Sequence, residues 1–228
     1  EREGVRPTFG IAIGSERTLR ADAGIDARQG RGWWSAGVAH EKTHGFNACN
    51  GDPVTFAGCA TIEPDRDGYR NDSLRLGAGI DINNAWQVEG RALRAEARND
   101  FDGSWANENR NVQQVIGGTV RYAPADNVRL RLQLGRNHDD TISRNGSSGM
   151  ETGRIVSDRD SANLIAEIGR TDNMLSFGFD WQRDTVESST AFALGHRLTR
   201  GLYGQWRADF GAQHFQAGLR REDNSQFG

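Results

Sequence analysis

Apolar residues recur at every second position through one segment of this chain after another, and that period leaves little room for anything but β-strand. Leu74, Leu76, Ala78, Ile80 and Ile82 alternate with Arg75, Gly77, Gly79 and Asp81. Val128, Leu130, Leu132 and Leu134 alternate with Arg129, Arg131 and Gln133. After a short extended start at 8–14, strand-like segments fall at 17–29, 32–44, 69–82, 86–101, 111–123, 128–140, 158–170, 174–186, 200–210 and 213–222. The pattern predicts roughly ten or eleven strands and no helix, although 86–101 changes phase midway.

The connections sharpen this to an architecture. Short turns at 30–31, 83–85, 124–127, 171–173 and 211–212 alternate with long polar loops at 45–68, 102–110, 141–157 and 187–199. In an up-and-down meander every second connection lies at the same end, so the short turns share one rim and the long loops the other. Outer-membrane barrels have that asymmetry. Trp33, Trp34, Trp86 and Tyr122 lie beside short turns, as an interfacial aromatic girdle requires. Segments of about 12 residues are also long for a soluble sandwich, whose strands average about 5–6. The expected fold is all-β, an antiparallel up-and-down transmembrane β-barrel; a soluble β-sandwich, with these aromatics in its core, is the alternative.

Composition narrows the function. Mean hydropathy is -0.71, which argues against membrane helices but not against a barrel that alternates lipid-facing and lumen-facing residues. A net charge of -3, with no basic block interleaved with aromatics, argues against nucleic acid as a partner. Cys49 and Cys59 share a loop rich in turn residues, which suggests a local disulfide and an oxidising compartment; two free thiols are the alternative. Glu1-Arg2-Glu3-Gly4 shows no signal-peptide pattern and no closing pattern precedes Gly228, so a fragment is expected. The five histidines are scattered, no Ser-His-acid set stands out, and Gly146-Ser147-Ser148-Gly149 lacks the lysine of a phosphate-binding loop. No residue is assigned a catalytic role.

Carboxylates carry the remaining signal. Glu63, Asp65 and Asp67 alternate ahead of Gly68, and Asp100, Asp102 and Glu108 crowd a second loop at the same rim. Two acidic loops on adjacent hairpins could supply the six to eight oxygens that calcium takes. An EF-hand is excluded by the position of Gly68 and the absence of flanking helices. Solvated loop residues are the competing account.

Several motifs together resemble the TonB-dependent outer-membrane receptors for vitamin B12 (cobalamin). They are Thr43-His44-Gly45-Phe46-Asn47, Pro64-Asp65-Arg66-Asp67-Gly68-Tyr69, Asn99-Asp100-Phe101-Asp102 with Glu108-Asn109-Arg110, Gly178-Phe179-Asp180-Trp181-Gln182, and the final Arg221-Glu222-Asp223-Asn224-Ser225-Gln226-Phe227-Gly228. The resemblance implies that residues 1–228 are the first part of a 22-stranded barrel, without its plug domain and closing strands. It implies an outer membrane of a Gram-negative bacterium, cobalamin as ligand, outer-membrane lipid around the barrel, and TonB engaged through the plug. It also implies calcium at Glu63, Asp65, Asp67, Asp102 and Glu108, with Phe101 contributing its backbone and Asn47 standing where the family often has aspartate. Gly103 falls where the family touches the corrinoid, and the loop 141–157 faces the ligand. A TonB-dependent receptor for a siderophore or glycan is the nearest alternative.

Overall fold

A computed structural model describes residues 3–48 and 63–227. Eleven strands follow one another: β1 (Gly4–Gly14), β2 (Thr18–Gln29), β3 (Gly32–Thr43), β4 (Tyr69–Asp81), β5 (Trp86–Asp100), β6 (Glu108–Ala125), β7 (Val128–Asn145), β8 (Met150–Arg170), β9 (Asn173–Ser188), β10 (His196–Phe210) and β11 (Gln213–Asn224). They form one antiparallel sheet in strict sequence order. The soluble sandwich is thereby overturned. There is no second sheet among the described residues, the only buried hydrophobic residue among them is Ala208, and Phe9, Ile13 and Leu219 are each more than 80 % exposed.

The apolar side chains are nonetheless ordered, because cross-strand partners point to the same side of a sheet. One face carries Phe9 and Ile11 of β1, Leu74 and Leu76 of β4, Leu132 and Leu134 of β7, Leu164 of β8 and Phe177 and Phe179 of β9. The opposite face carries Arg75, Glu89, Arg91, Arg121, Asp180, Asp184 and Arg220. Its ion pairs include Arg121–Glu89 at 3.1 Å and Arg220–Asp180 at 2.7 Å, and a cavity of about 710 Å³ opens on it between Asp26, Trp33, Arg75 and Arg91. A face of hydrocarbon backed by a face of paired charge inverts the economy of a soluble protein. It suits a wall between lipid and an aqueous lumen.

The register gives the tilt of that wall. A single row of partners runs from Ile13 through Leu19, Lys42, Arg70, Arg98, Arg110 and Ile142 to Arg154. Ile13 is the topmost apolar residue of β1, but in β8 the apolar face stops at Ala162, eight residues below that row after seven strand steps. A lipid boundary is level in the membrane, so the strands must be inclined. About 1.1 residues per strand, at ~3.4 Å per residue and ~4.8 Å between strands, gives ~40°. Membrane barrels tilt by about 35–45°.

At the short-turn rim, Trp86 stacks on Tyr122 with centroids 4.2 Å apart, and Trp34 and Trp206 share their face. Trp33 does not join them. As the chain neighbour of Trp34 it projects to the polar face, where Arg91 lies 5.7 Å from its ring. The long-loop rim also differs from expectation. The predicted loop 141–157 is mostly hairpin, reduced to 146–149, and 102–110 and 187–199 shrink to 101–107 and 189–195. The polar residues there pair across strands instead of lying in solvent: Arg154 holds Asp140 through two bonds of 2.9 and 2.8 Å, and Asn111 donates to Thr141 at 2.7 Å. The rim also holds a tight turn at 15–17, with Glu16 and Arg17 both at φ 53°.

Candidate metal centre at the loop rim

The rim above β3–β8 is built by polar clips between neighbouring connections. Gly45, at φ 60°, turns the chain after β3 so closely that a Cβ there would lie 1.8 Å from the Asp67 carbonyl oxygen. Only glycine fits both demands. The next residues run beside the segment entering β4: Asp67 N donates to Phe46 O at 3.1 Å, and Ala48 N donates to Asp67 Oδ2 at 2.7 Å. Arg66 donates to the Gly45 carbonyl at 2.9 Å and to Glu16 at 2.7 Å, fastening this segment to the 15–17 turn.

Glu63 ties that segment to the loop after β5. Its Oε2 accepts from Gly103 N at 3.1 Å and its Oε1 from Asn107 Nδ2 at 2.6 Å. Asn107 accepts in turn from Gly146 N at 2.6 Å, carrying the link to the turn between β7 and β8. Asn145 Nδ2 reaches the carbonyls of Ser104 and Trp105 at 3.5 and 3.4 Å. The loop 101–107 is itself folded tightly, since a Cβ on Gly103 would lie 2.0 Å from Ala106 O.

This lattice brings together Glu63, Asp65 and Asp102, each offering one carboxylate oxygen within 4.8 Å of the others. Two oxygens that share an ion at 2.3–2.6 Å lie at most about 5 Å apart, so the group is compact enough for one cation. The donors are all hard oxygens, which suits calcium better than a transition metal. Both carboxylate oxygens of Asp102 are shielded from solvent. The hydrogen bonds to Glu63 orient its carboxylate as outer partners orient a metal ligand.

The other expected ligands stand at the margin. Asp67 is turned to the Ala48 amide, Glu108 opens β6 opposite Asp100, and Asn47 is an exposed residue of the strand-exit loop. Phe101 N donates to Asn107 O at 3.0 Å. Gly103 commits its amide to Glu63. Cys49 and Cys59 lie outside the described residues. Asp100 registers the concentration of charge: loss of hydration raises its pKa above the usual carboxylate value although part of the side chain meets solvent, and Glu108, then Asp65 and Asp67, raise it further. A hydrogen bond from Gly68 opposes the shift. Asn107 carries no signal in the sequence, because an asparagine in a polar loop gives no hint of the three connections it joins.

No protein-family model matches the sequence, and no curated protein matches it. Solved structures do. The copper transporter OprC is 15 % identical, with 97 % of this chain covered, 37 % of that chain covered and a TM-score of 0.74. The ferric enterobactin receptor PfeA of Pseudomonas aeruginosa is 13 % identical, with coverages of 99 % and 40 % and a TM-score of 0.74. The siderophore receptor PirA of Pseudomonas aeruginosa is 14 % identical, with coverages of 100 % and 39 % and a TM-score of 0.67. The chain thus spans about two fifths of the length of the structures it matches. At these identities the likeness is one of fold, and the chain has the fold of a partial up-and-down antiparallel barrel of the outer-membrane receptor kind.

Proposed function

We propose that this chain is barrel wall from a TonB-dependent uptake receptor in the outer membrane of a Gram-negative bacterium, with calcium-ordered loops over a cobalamin site. The observation that carries the reading is the convergence of Glu63, Asp65 and Asp102 at the loop rim of a lipid-facing sheet. Asp67, Glu108, Asn47 and the Phe101 backbone complete the proposed ligand set, and Gly103 lies where the corrinoid would approach.

Bound calcium would supply positive charge among these carboxylates. Glu63 and Asp65 on one connection and Asp102 on the next then hold the two loops together, and Glu63 keeps the Gly103 amide in place. A surface ordered before the ligand arrives loses less entropy on binding it. TonB would act through a plug domain on the polar face, so the residues here bind and position and none is catalytic.

A second reading, a receptor for another metal-bearing ligand, is favoured by the neighbours, which are named for ferric enterobactin, siderophores and copper. The two separate in one assay on the intact receptor in detergent: titration with cyanocobalamin, ferric enterobactin and copper, each with calcium and with a chelator. Calcium-dependent binding of cyanocobalamin alone is expected. Binding of ferric enterobactin or copper without cyanocobalamin would replace the first reading with the second.

Acidification is expected to weaken calcium binding before ordinary carboxylates protonate. Asp100 has a raised pKa, so as the pH falls it takes up a proton first and removes negative charge beside the cluster. The calcium-free protein gains stability over the same window, because ionised Asp100 is disfavoured in the folded state. Calorimetric calcium titrations at descending pH measure this. Asp100→Asn should abolish the early part of the decline, and an unchanged pH profile would remove Asp100 from the account.

A further inference from the structure

Immediately above the apolar belt, on the same face, the first polar residue is arginine on five of the strands: Arg94 in β5, Arg136 in β7, Arg183 in β9, Arg200 in β10 and Arg221 in β11. All five are exposed. Their cross-strand partners include only two carboxylates, Asp160 opposite Arg136 and Arg183, and Asp223 opposite Arg200. Among the described residues no carboxylate lies within 4.0 Å of Arg183, Arg200 or Arg221. Arg94 pairs with Glu96 at 3.8 Å and Arg136 with Asp158 at 3.4 Å and Asp160 at 3.8 Å, so the cationic surplus lies in Arg183, Arg200 and Arg221, on a chain of net charge -3.

Its geometry follows the membrane and not the sheet. Arg94 shares a register row with Gln114 and His138, and Arg136 lies two residues below His138. Arg136, Asp160 and Arg183 share the next row. Arg200 is the partner of Trp181, two residues below Arg183, and Arg221 is the partner of Leu202, two residues below Arg200 on the descending β10. From β5 to β11 the row thus descends about one residue per strand, the same slope as the lipid boundary, so the guanidinium groups stay near one depth. Arg183, Arg200 and Arg221 are each separated by one strand (~4.8 Å) and two residues (~6.8 Å), which places successive backbone positions ~8 Å apart, within reach of separate phosphate groups for side chains as long as arginine. A guanidinium is suited to phosphate, since it offers parallel donors to two oxygens. Hydrocarbon directly beneath the row fixes the kind of molecule that presents those phosphates.

We propose that Arg183, Arg200 and Arg221, continued by Arg136 and Arg94, form a binding surface for the phosphorylated headgroup of an outer-leaflet lipid whose acyl chains lie on the apolar face. The proposal rests on the membrane orientation given above, and it is independent of the ligand and of calcium. The lipid acts as an annular partner of the barrel, held by charge at the headgroup and by dispersion along Leu202, Phe179 and Leu219.

The intact receptor in uncharged detergent is titrated with diphosphoryl lipid A, with its dephosphorylated form, and with inorganic phosphate as competitor, and bound lipid is counted by native mass spectrometry. The diphosphoryl lipid should bind about tenfold more tightly than the dephosphorylated one and weaken as salt is raised. The triple variant Arg183→Gln, Arg200→Gln, Arg221→Gln should lose that preference while keeping its melting temperature; Arg200→Gln alone should lose part of it. Inorganic phosphate at millimolar concentration should not displace the lipid. Equal binding of the two lipids, or an unaffected triple variant, overturns the proposal and leaves the arginines as interfacial anchors. Complete displacement by inorganic phosphate also overturns it, in favour of a simple anion site. If the wild-type receptor fails to insert into bilayers, the membrane orientation itself falls, an outcome separable from the others.

Discussion

Glu63→Gln is expected to lower calcium affinity by about a hundredfold or more, roughly 2.7 kcal/mol at 1.36 kcal/mol per decade. The size follows from two losses at one residue. A full charge leaves a cluster whose oxygens lie within 4.8 Å of one another, and a carboxamide cannot accept at both ends. One end of Glu63 accepts from the Gly103 amide and the other from Asn107, so in the variant one of those donors must face an NH₂ group. Leaving a fully buried donor without its acceptor costs about 1–3 kcal/mol; these donors are half-buried, so the lower end of that range applies, and the loop after β5 should loosen. Glu151→Gln, at the start of β8 on the same rim but outside the cluster, removes equal charge and should change affinity less than about threefold. Calorimetry with calcium on the intact protein reads both. Equal effects of the two variants would reduce the site to a diffuse field of surface charge.

Much of this arrangement was legible in the sequence, for reasons that also mark where legibility ended. Alternation such as Leu74 to Ile82 needs no partner to be recognised, because a strand with one apolar face carries that period wherever it pairs. The short turns were equally plain. β7 and β8 were cut short because 141–157 has the composition of a loop: Arg154 and Asp140 look solvated until the register places them opposite neighbours on the same face. Trp33 and Trp34 could not be sorted from position alone, since adjacent strand residues face opposite sides. At the site, the acidic spacing singled out Glu63, Asp65, Asp67, Asp100, Asp102 and Glu108, but nothing local told which three the loops bring together, that Asp67 turns to Ala48 or that Asn107 fastens Glu63 to Gly146. Those are agreements between loops far apart in the chain. Local patterns carry composition and period, and long-range hydrogen bonding leaves no such trace.

Gly45→Ala is expected to be nearly as damaging as loss of a ligand, although Gly45 touches no cation. Its φ of 60° costs a residue with a side chain roughly 1–2 kcal/mol. Collision costs more: the added Cβ would lie 1.8 Å from a backbone oxygen, that of Asp67, which cannot rotate away as a side-chain tip could. Either the loop after β3 or the segment 63–68 must shift. A shift breaks the bonds from Asp67 N to Phe46 O and from Ala48 N to Asp67, and it moves Asp65 away from Asp102. A total of about 3 kcal/mol or more is expected from strain and broken bonds together, concentrated at the rim. Hydrogen exchange should therefore rise at the donating amides of Ala48 and Asp67 while the β4–β5 ladder stays protected, and calcium affinity should fall at least about tenfold. The strands hold their pairing without these loops, so melting of the barrel should scarcely change. Gly30→Ala, also at positive φ but with open space around its missing Cβ, isolates the conformational part and should leave calcium binding intact. If Gly45→Ala binds calcium as tightly as the parent, the close approach at Asp67 does not position the carboxylates, and the cluster must be held by Glu63 and Asn107 alone.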